Sequence, residues 1–178
     1  MNYTSVPQIF ETIDETRERL YKRVESLTDE QANAQPTPDA WSVTGVIEHL
    51  TIMEDRLLRM LKVMLTKAEG ASEGGNGGSI EMKPFSLDEF IERSRNEKYN
   101  APEFVRPSGE AHLKELLARM HNSREELHTL QPRIEATDLS RVTYPHPVFG
   151  PLNFYQWLAF IGIHEERHLR QIKSILSA

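Results

Sequence analysis

A chain of 178 residues with 38% hydrophobic and 27% charged side chains is sized and mixed like one soluble domain with a sizeable core. Its net charge of −6, with no Lys/Arg block, excludes the footprint of a nucleic-acid binder. It has no cysteine, which excludes thiolate metal sites, disulfides and cysteine nucleophiles and suits a reducing compartment.

The first ten residues lack the basic and apolar regions of a signal peptide. Ser5 with Gln8 reads as a capping box. Val6, Ile9, Ile13, Leu20, Val24 and Leu27 then follow at helical spacing, predicting a first helix to about Leu27. Thr28 with Gln31 opens a further turn, and Pro36 and Pro38 stop it. Ser42 caps a second long helix, with Trp41 and Val46 as its hydrophobic staple. Its seam is Val43, Val46, Leu50, Met53, Leu57, Met60 and Met64, and His49 looks into the bundle from the seam's edge.

The 69–109 stretch is a long linker. It holds a Gly-rich loop over Ala71 to Ser79, a short helix from Ser86 to about Arg93, and an extended piece from Tyr99 to Gly109. A connection of that length inside a compact domain signals either a cover, formed by residues from Ser86 to Gly109 over a site, or a disordered insertion, which is the reading for Ala71 to Ser79. The third long helix runs from about Glu110 to Leu130 and turns Leu113, Leu116, Leu117, Met120, Leu127 and Leu130 inward. His112, His121 and His128 on it read as surface residues. After the proline-rich turn around His146, Asn153 with Gln156 caps a fourth helix reaching about Leu176. Its longest apolar run, Trp157 to Ile163, is far short of a membrane span. The expectation is a cytoplasmic, all-α four-helix bundle, one domain over residues 1–178, with neither a nucleic-acid nor a membrane partner.

On that fourth helix Trp157, Ile161, His164, His168, Ile172 and Ile175 form one face, because residues four apart stand nearly above one another. Two imidazoles inside an apolar stripe need a shared reason, and a metal ion is the simplest. Bundles build such sites from facing helices, so His49 joins His164 and His168 as a third ligand. Three protein ligands leave a position for water or substrate, as in catalytic rather than structural zinc sites.

Leu27-Thr28-Asp29-Glu30-Gln31, Pro36, Pro38, Trp41-Ser42 and His49-Leu50 with Glu54 resemble the first half of a DinB-like (DinB/YfiT superfamily) domain. His146-Pro147-x-Phe149-Gly150-x-Leu152, Trp157 and His164-x-x-x-His168-x-x-Gln171-Ile172 resemble its second half. The resemblance implies a four-helix bundle holding nickel or zinc on three histidines, which carry over to His49, His164 and His168, and often a homodimer. It further implies thiol-dependent S-transfer with bacillithiol-like cofactors, or metal-dependent hydrolysis.

The pattern His164-Glu165-x-x-His168 also satisfies the zinc-peptidase motif. Leu169 to Ala178 supply no third ligand, however, and Glu165 points to the edge of the stripe, so it reads as a solvated or subunit-contact carboxylate. A bound divalent ion lowers the pKa of water or of a thiol, generating a nucleophile at neutral pH. Without cysteine, any thiolate must arrive with a low-molecular-weight thiol. The residues fit such a transferase acting on a small-molecule electrophile. They fit equally a hydrolase attacking with metal-bound hydroxide, or a metal-stabilised bundle that binds without turnover. His146 reads either as a proton-transfer group at the mouth of the site or as a loop histidine capping backbone. Phe154, Leu158, Phe160 and Ile163 add apolar surface to the fourth helix, and with it the expectation of a homodimer.

Overall fold

The computed structural model describes residues 2–72, 82–88, 91–92 and 101–177. Five helices are ordered along it: α1 (Val6–Val24), α2 (Asp29–Asn33), α3 (Val43–Ser72), α4 (Leu113–Glu135) and α5 (Phe154–Ile175). Four of them are long and form a bundle, as the hydrophobic periodicity predicts. Two short antiparallel ladders, which the residue pattern does not announce, complete it. β1 (Asn2–Tyr3) pairs with β2 (Phe85–Ser86), and β3 (Thr143–His146) with β4 (Gly150–Asn153).

Local chemistry sets the helix ends. Ser5 Oγ accepts from the Gln8 amide, but the Gln8 side chain reaches Thr4 rather than completing a box. Thr28 and Gln31 do form the reciprocal box, and this extended N-cap ends α1 at Val24 instead of Leu27. Ser42 Oγ accepts from Gly45 N at the head of α3, and Asn153 and Gln156 make the full box at α5. The third long helix starts later than expected, at Leu113, because His112 ahead of it is extended (φ −96°, ψ 135°) and serves as its N-cap. It then continues through Pro132 to Glu135, anchored by the fully buried Ile134.

Helix α3 extends to Ser72, beyond the expected linker start. Residues 73–79 of the Gly-rich loop lie outside the described residues, as do 89, 90 and 93 of the short helix and 99–100 of the extended piece. Asp88, Ile91 and Glu92 are helical. Glu103–Val105 is a single 3-10 turn within otherwise extended chain.

Around the bundle α1 packs on α5 and α4, and α3 packs on α4 and α5. Helices α1 and α3 thus face each other across a diagonal, as do α4 and α5. Diagonal neighbours cannot be joined by tight turns, which accounts for α2 with its proline stretch and for the β3–β4 hairpin. At the α1–α5 crossing, Gly162 lets Ile13 in so closely that a Cβ there would stand 3.0 Å from Ile13 Cγ2. The first half of α5 is buried almost all round, as expected of a helix enclosed by neighbours. Phe154, Leu158, Phe160 and Ile163 belong to this intramolecular core and not to a free face.

The core falls into two apolar clusters, one running from Val6 and Ile13 to Leu58, Leu61, Leu127 and Phe154, the other from Leu20 and Val24 to Val46, Leu116 and Ile172. Between them along the sequence of each long helix stands one buried charge: Arg17 between Ile13 and Leu20, Glu54 between Leu50 and Leu57, Arg124 between Met120 and Leu127, and Glu165 between Ile163 and Leu169. All four are buried and ion-paired.

Candidate metal centre

His164 and His168, one turn apart on α5, face His49 on α3. His164 Nε2 lies 3.3 Å from His49 Nε2 and 3.2 Å from His168 Nε2. Metal–nitrogen bonds of about 2.0–2.1 Å at tetrahedral angles place ligand nitrogens about 3.3 Å apart, so these spacings suit a single ion. His49 and His168 are buried and His164 half-buried, and the three form a group that could hold a metal ion.

The outer nitrogens fix the tautomers. His49 Nδ1 lies 2.7 Å from Val105 O, which can only accept, so Nδ1 carries the proton and Nε2 a lone pair. His168 Nδ1 meets Gln171 Oε1 at 2.8 Å and presents its Nε2 lone pair in the same way. His164 Nε2 can donate to one of the two at most. At least one pair of nitrogens would therefore confront lone pair with lone pair, an arrangement a cation relieves. The donor set fits a metal.

Electrostatics favours the neutral, ligating form of each ring. Burial lowers the pKa of His49, partly offset by the Val105 hydrogen bond. Burial, then the neighbouring His168 and His49, puts His164 well below the ordinary 6.5. Burial, with His49 next, takes His168 to about 3. The unfolded chain takes up protons below about pH 6.5 that these folded rings refuse. The metal-free protein is therefore expected to lose stability progressively as pH falls from 6.5 toward 3, in urea titrations at stepped pH. A midpoint constant across that window would contradict the buried neutral cluster.

Residues 103–109, the end of the linker, cover the site from one side. Besides the Val105 carbonyl on His49, Glu48 accepts from Ser108 N at 2.9 Å, Ser108 Oγ at 2.7 Å and Gly109 N at 3.3 Å. Arg56 lies over the Phe104 ring at 4.7 Å. Residues 103–109 are thus strapped to α3 next to its histidine. Glu48→Ala removes three of these bonds and loosens the Val105 contact. Metal affinity is expected to drop roughly tenfold, as for other outer-sphere partners, in a chelator-competition titration.

Aromatic rings surround the histidines. Trp41 packs on His49 at 5.1 Å between centroids, and Phe160 stacks on His164 at 5.9 Å. His146 packs against Phe160, Phe149 and Trp157, and Phe160 touches both it and His164. Its Nδ1 accepts from Val148 N at 3.1 Å and Phe149 N at 3.3 Å, which makes it a backbone cap of the β3–β4 turn. Burial lowers its pKa to about 4. His112 and His121 are exposed, and His128 pairs with Asp14 on the bundle surface.

Glu165 is not a solvated or subunit-contact carboxylate. It is 2% exposed, and its Oε1 accepts from Arg17 Nε at 3.2 Å, from Arg17 Nη2 and from Arg124 Nη2 at 3.0 Å. Glu54 holds the other side, accepting from Arg17 Nη2 at 2.5 Å and Arg124 Nε at 3.4 Å. Burial raises the Glu54 pKa, against the pull of both arginines. Burial alone would lower the Arg17 pKa, but Glu165 and Glu54 more than reverse that, so it stays charged. The residue reading missed this layer. Its signal was one charge per helix at a core position: Ile13-x-x-x-Arg17, Leu50-x-x-x-Glu54, Met120-x-x-x-Arg124 and Ile161-x-x-x-Glu165.

The DinB superfamily pattern matches residues 12–172. The chain belongs to the DinB superfamily. Among its relatives, the uncharacterized protein YuaE of Bacillus subtilis (strain 168) is 32% identical over 163 residues, 91% of this chain and 93% of YuaE. Two solved structures share the fold of this superfamily member. TT2238, described as a four-helix bundle protein, aligns with a TM-score of 0.63 at 20% identity over 96% of this chain and 99% of its own. YfiT from Bacillus subtilis, described as a probable metal-dependent hydrolase with an unusual four-helix bundle topology, aligns at 0.62 and 17% identity over 95% of this chain and 84% of its own. No helix among the described residues is long and apolar enough to cross a membrane.

Proposed function

We propose that this chain is a metal-dependent enzyme that joins a small-molecule thiol to an electrophilic substrate at His49, His164 and His168. The observation carrying this reading is the convergence of three Nε2 atoms, two of them oriented by hydrogen bonds on the opposite ring nitrogen. Nickel or zinc both suit imidazole donors. A bound divalent ion supplies Lewis acidity, which lowers the pKa of a thiol brought to it. The chain holds the ion, keeps its imidazoles unprotonated, and shields the site with Trp41, Phe160 and the 103–109 strap. In the transfer a carbon–sulfur bond forms, the electrophile's leaving group departs with its electron pair, and the thiol proton passes to solvent. With no cysteine in the chain, the sulfur comes from a bacillithiol-like cofactor.

Hydrolysis is the second reading, since YfiT is described as a probable metal-dependent hydrolase. Among the described residues no carboxylate joins the three histidines in the potential metal-binding group, so a hydrolase would rely on the metal alone to activate its water. Glu54 and Glu165 are held by two arginines and Glu48 by the strap, an arrangement that favours the thiol. The test loads the protein with nickel or zinc and supplies an activated aryl halide with a low-molecular-weight thiol, or a nitrophenyl ester without one. Metal-dependent thiol consumption that disappears in His49→Ala supports transfer. Ester cleavage without thiol would shift the reading to hydrolysis, and neither activity with metal bound would leave a non-catalytic bundle.

We place this chemistry in the cytoplasm, consistent with the missing cysteines, and in a homodimer. The apolar residues of α5 that suggested pairing are engaged within the chain, which leaves Val63, Phe104, Tyr144 and Leu176 as the exposed large hydrophobics among the described residues. Light scattering at tens of micromolar is expected to give twice the chain mass, and a monomer throughout would remove the dimer.

A further inference from the structure

Of the three imidazoles, His49 and His168 each have the outer nitrogen bonded to protein, to Val105 O and to Gln171 Oε1. Among the described residues, His164 Nδ1 has no such protein partner. A metal-ligating histidine nearly always gives that N–H to a carboxylate, a carbonyl or a water. His164 also lines a small, half-open pocket with Leu50, Met53, Glu54, Leu57, Ile161 and Glu165. Neither His49 nor His168 lines it. Its volume is about 10 Å³, close to the roughly 10–15 Å³ that admits one water molecule.

The polar groups of this cavity are unevenly satisfied. Every hydrogen bond that Glu165 receives from Arg17 and Arg124 falls on Oε1, while Oε2 is buried and receives none from the protein. Both Glu54 oxygens are engaged by the same arginines, and the remaining walls are apolar except for the Met53 thioether. A buried carboxylate oxygen without a donor is costly, and a buried water normally needs two to four polar partners.

We propose that one ordered water fills this cavity, accepting the Nδ1–H of His164 and donating to Glu165 Oε2. Glu165 is then a positioning residue for the third imidazole, acting through that water. It fixes the His164 tautomer so that Nε2 carries the lone pair, and its negative charge makes the ring a better donor. The buried Arg17–Glu54–Arg124–Glu165 layer, which draws on all four long helices, is thereby joined to the candidate metal centre. The role of the water in ligation rests on the metal-centre reading above, whereas the water itself does not.

The test uses the full chain. A high-resolution crystal structure of the wild type, with and without zinc, is expected to show one water within hydrogen-bond distance of His164 Nδ1 and Glu165 Oε2. Proton NMR of the same protein is expected to show a slowly exchanging His164 Nδ1–H with a cross-relaxation signal to bound water. In the cobalt(II)-loaded protein, Glu165→Gln presents an amide N–H₂ where the water must donate. Affinity for cobalt is expected to fall 10–100-fold, with a shift of the visible d–d bands, which a purely structural role would leave in place. If Glu165→Gln does not fold, the two wild-type measurements decide. A dry cavity, a direct His164–Glu165 bond or unchanged cobalt spectra in a folded Glu165→Gln protein overturns the proposal while leaving three-histidine metal binding intact. Failure of the wild type to take up any metal overturns the metal-centre reading instead, and the crystallographic water is still decided.

Discussion

His49→Ala is expected to abolish stoichiometric nickel or zinc binding as completely as His164→Ala or His168→Ala. The equality is the informative part. His164 and His168 share one helix and could hold an ion together from sequence proximity alone. His49 reaches them only because α3 packs on α5 and brings its Nε2 to 3.3 Å from His164 Nε2. Removing a ligand should cost more than the roughly 10–100-fold of an outer-sphere change. It also leaves two imidazoles and a gap that water fills poorly beside Trp41 and Phe160. His112→Ala, at the N-cap of α4, and His121→Ala, on that helix, both exposed, should bind like the wild type. Binding should weaken on acidification, because protons compete for the same nitrogens. With all three pKa values depressed by burial, that competition sets in below the ordinary histidine range. The measurement is chelator removal, metal add-back and competition titration for each single variant. Wild-type affinity in His49→Ala would take helix α3 out of the site.

The second large effect is on stability. Arg124→Ala leaves Glu165 and Glu54 buried with only Arg17 to neutralise them. Breaking a buried ion network by removing one partner costs about 3–5 kcal/mol, chiefly because the remaining charge stays desolvated. Glu126→Ala breaks a surface pair with Lys62 and is expected to cost at most about 1 kcal/mol. Urea unfolding of both variants in the metal-free state separates this effect from ligand stabilisation. Equal midpoints would mean that the buried charges are not the stabilising partners their geometry implies. Replacing all four by apolar residues is a different experiment, since well-packed hydrophobic substitutes often match or exceed a buried ionic cluster.

Much of this protein is written locally. The periodicity of Val6 to Val24, of Val43 to Met64 and of Leu113 to Leu130 specifies amphipathic helices whatever surrounds them, because a 3.6-residue repeat puts those side chains on one face. The caps at Thr28, Ser42 and Asn153 are equally local, each made between residues three apart. His164 and His168 were legible for the same reason: one helix sets their spacing, and their place in an apolar stripe marks them as unusual.

Tertiary packing decided the rest. The diagonal placement of α1 and α3 follows from which faces bury most area together, and no single helix carries that information. Assigning Val105 O as the partner of His49 required residues 103–109 to fold back onto α3, a contact 56 positions long that the Glu48 carboxylate holds in place. The fate of Glu165 depended on two arginines from other helices. A glutamate at the edge of a stripe is solvated by default, because desolvating a lone carboxylate is prohibitive. Arg17 and Arg124 reverse that balance, and they reach it only once α1 and α4 have closed on α5.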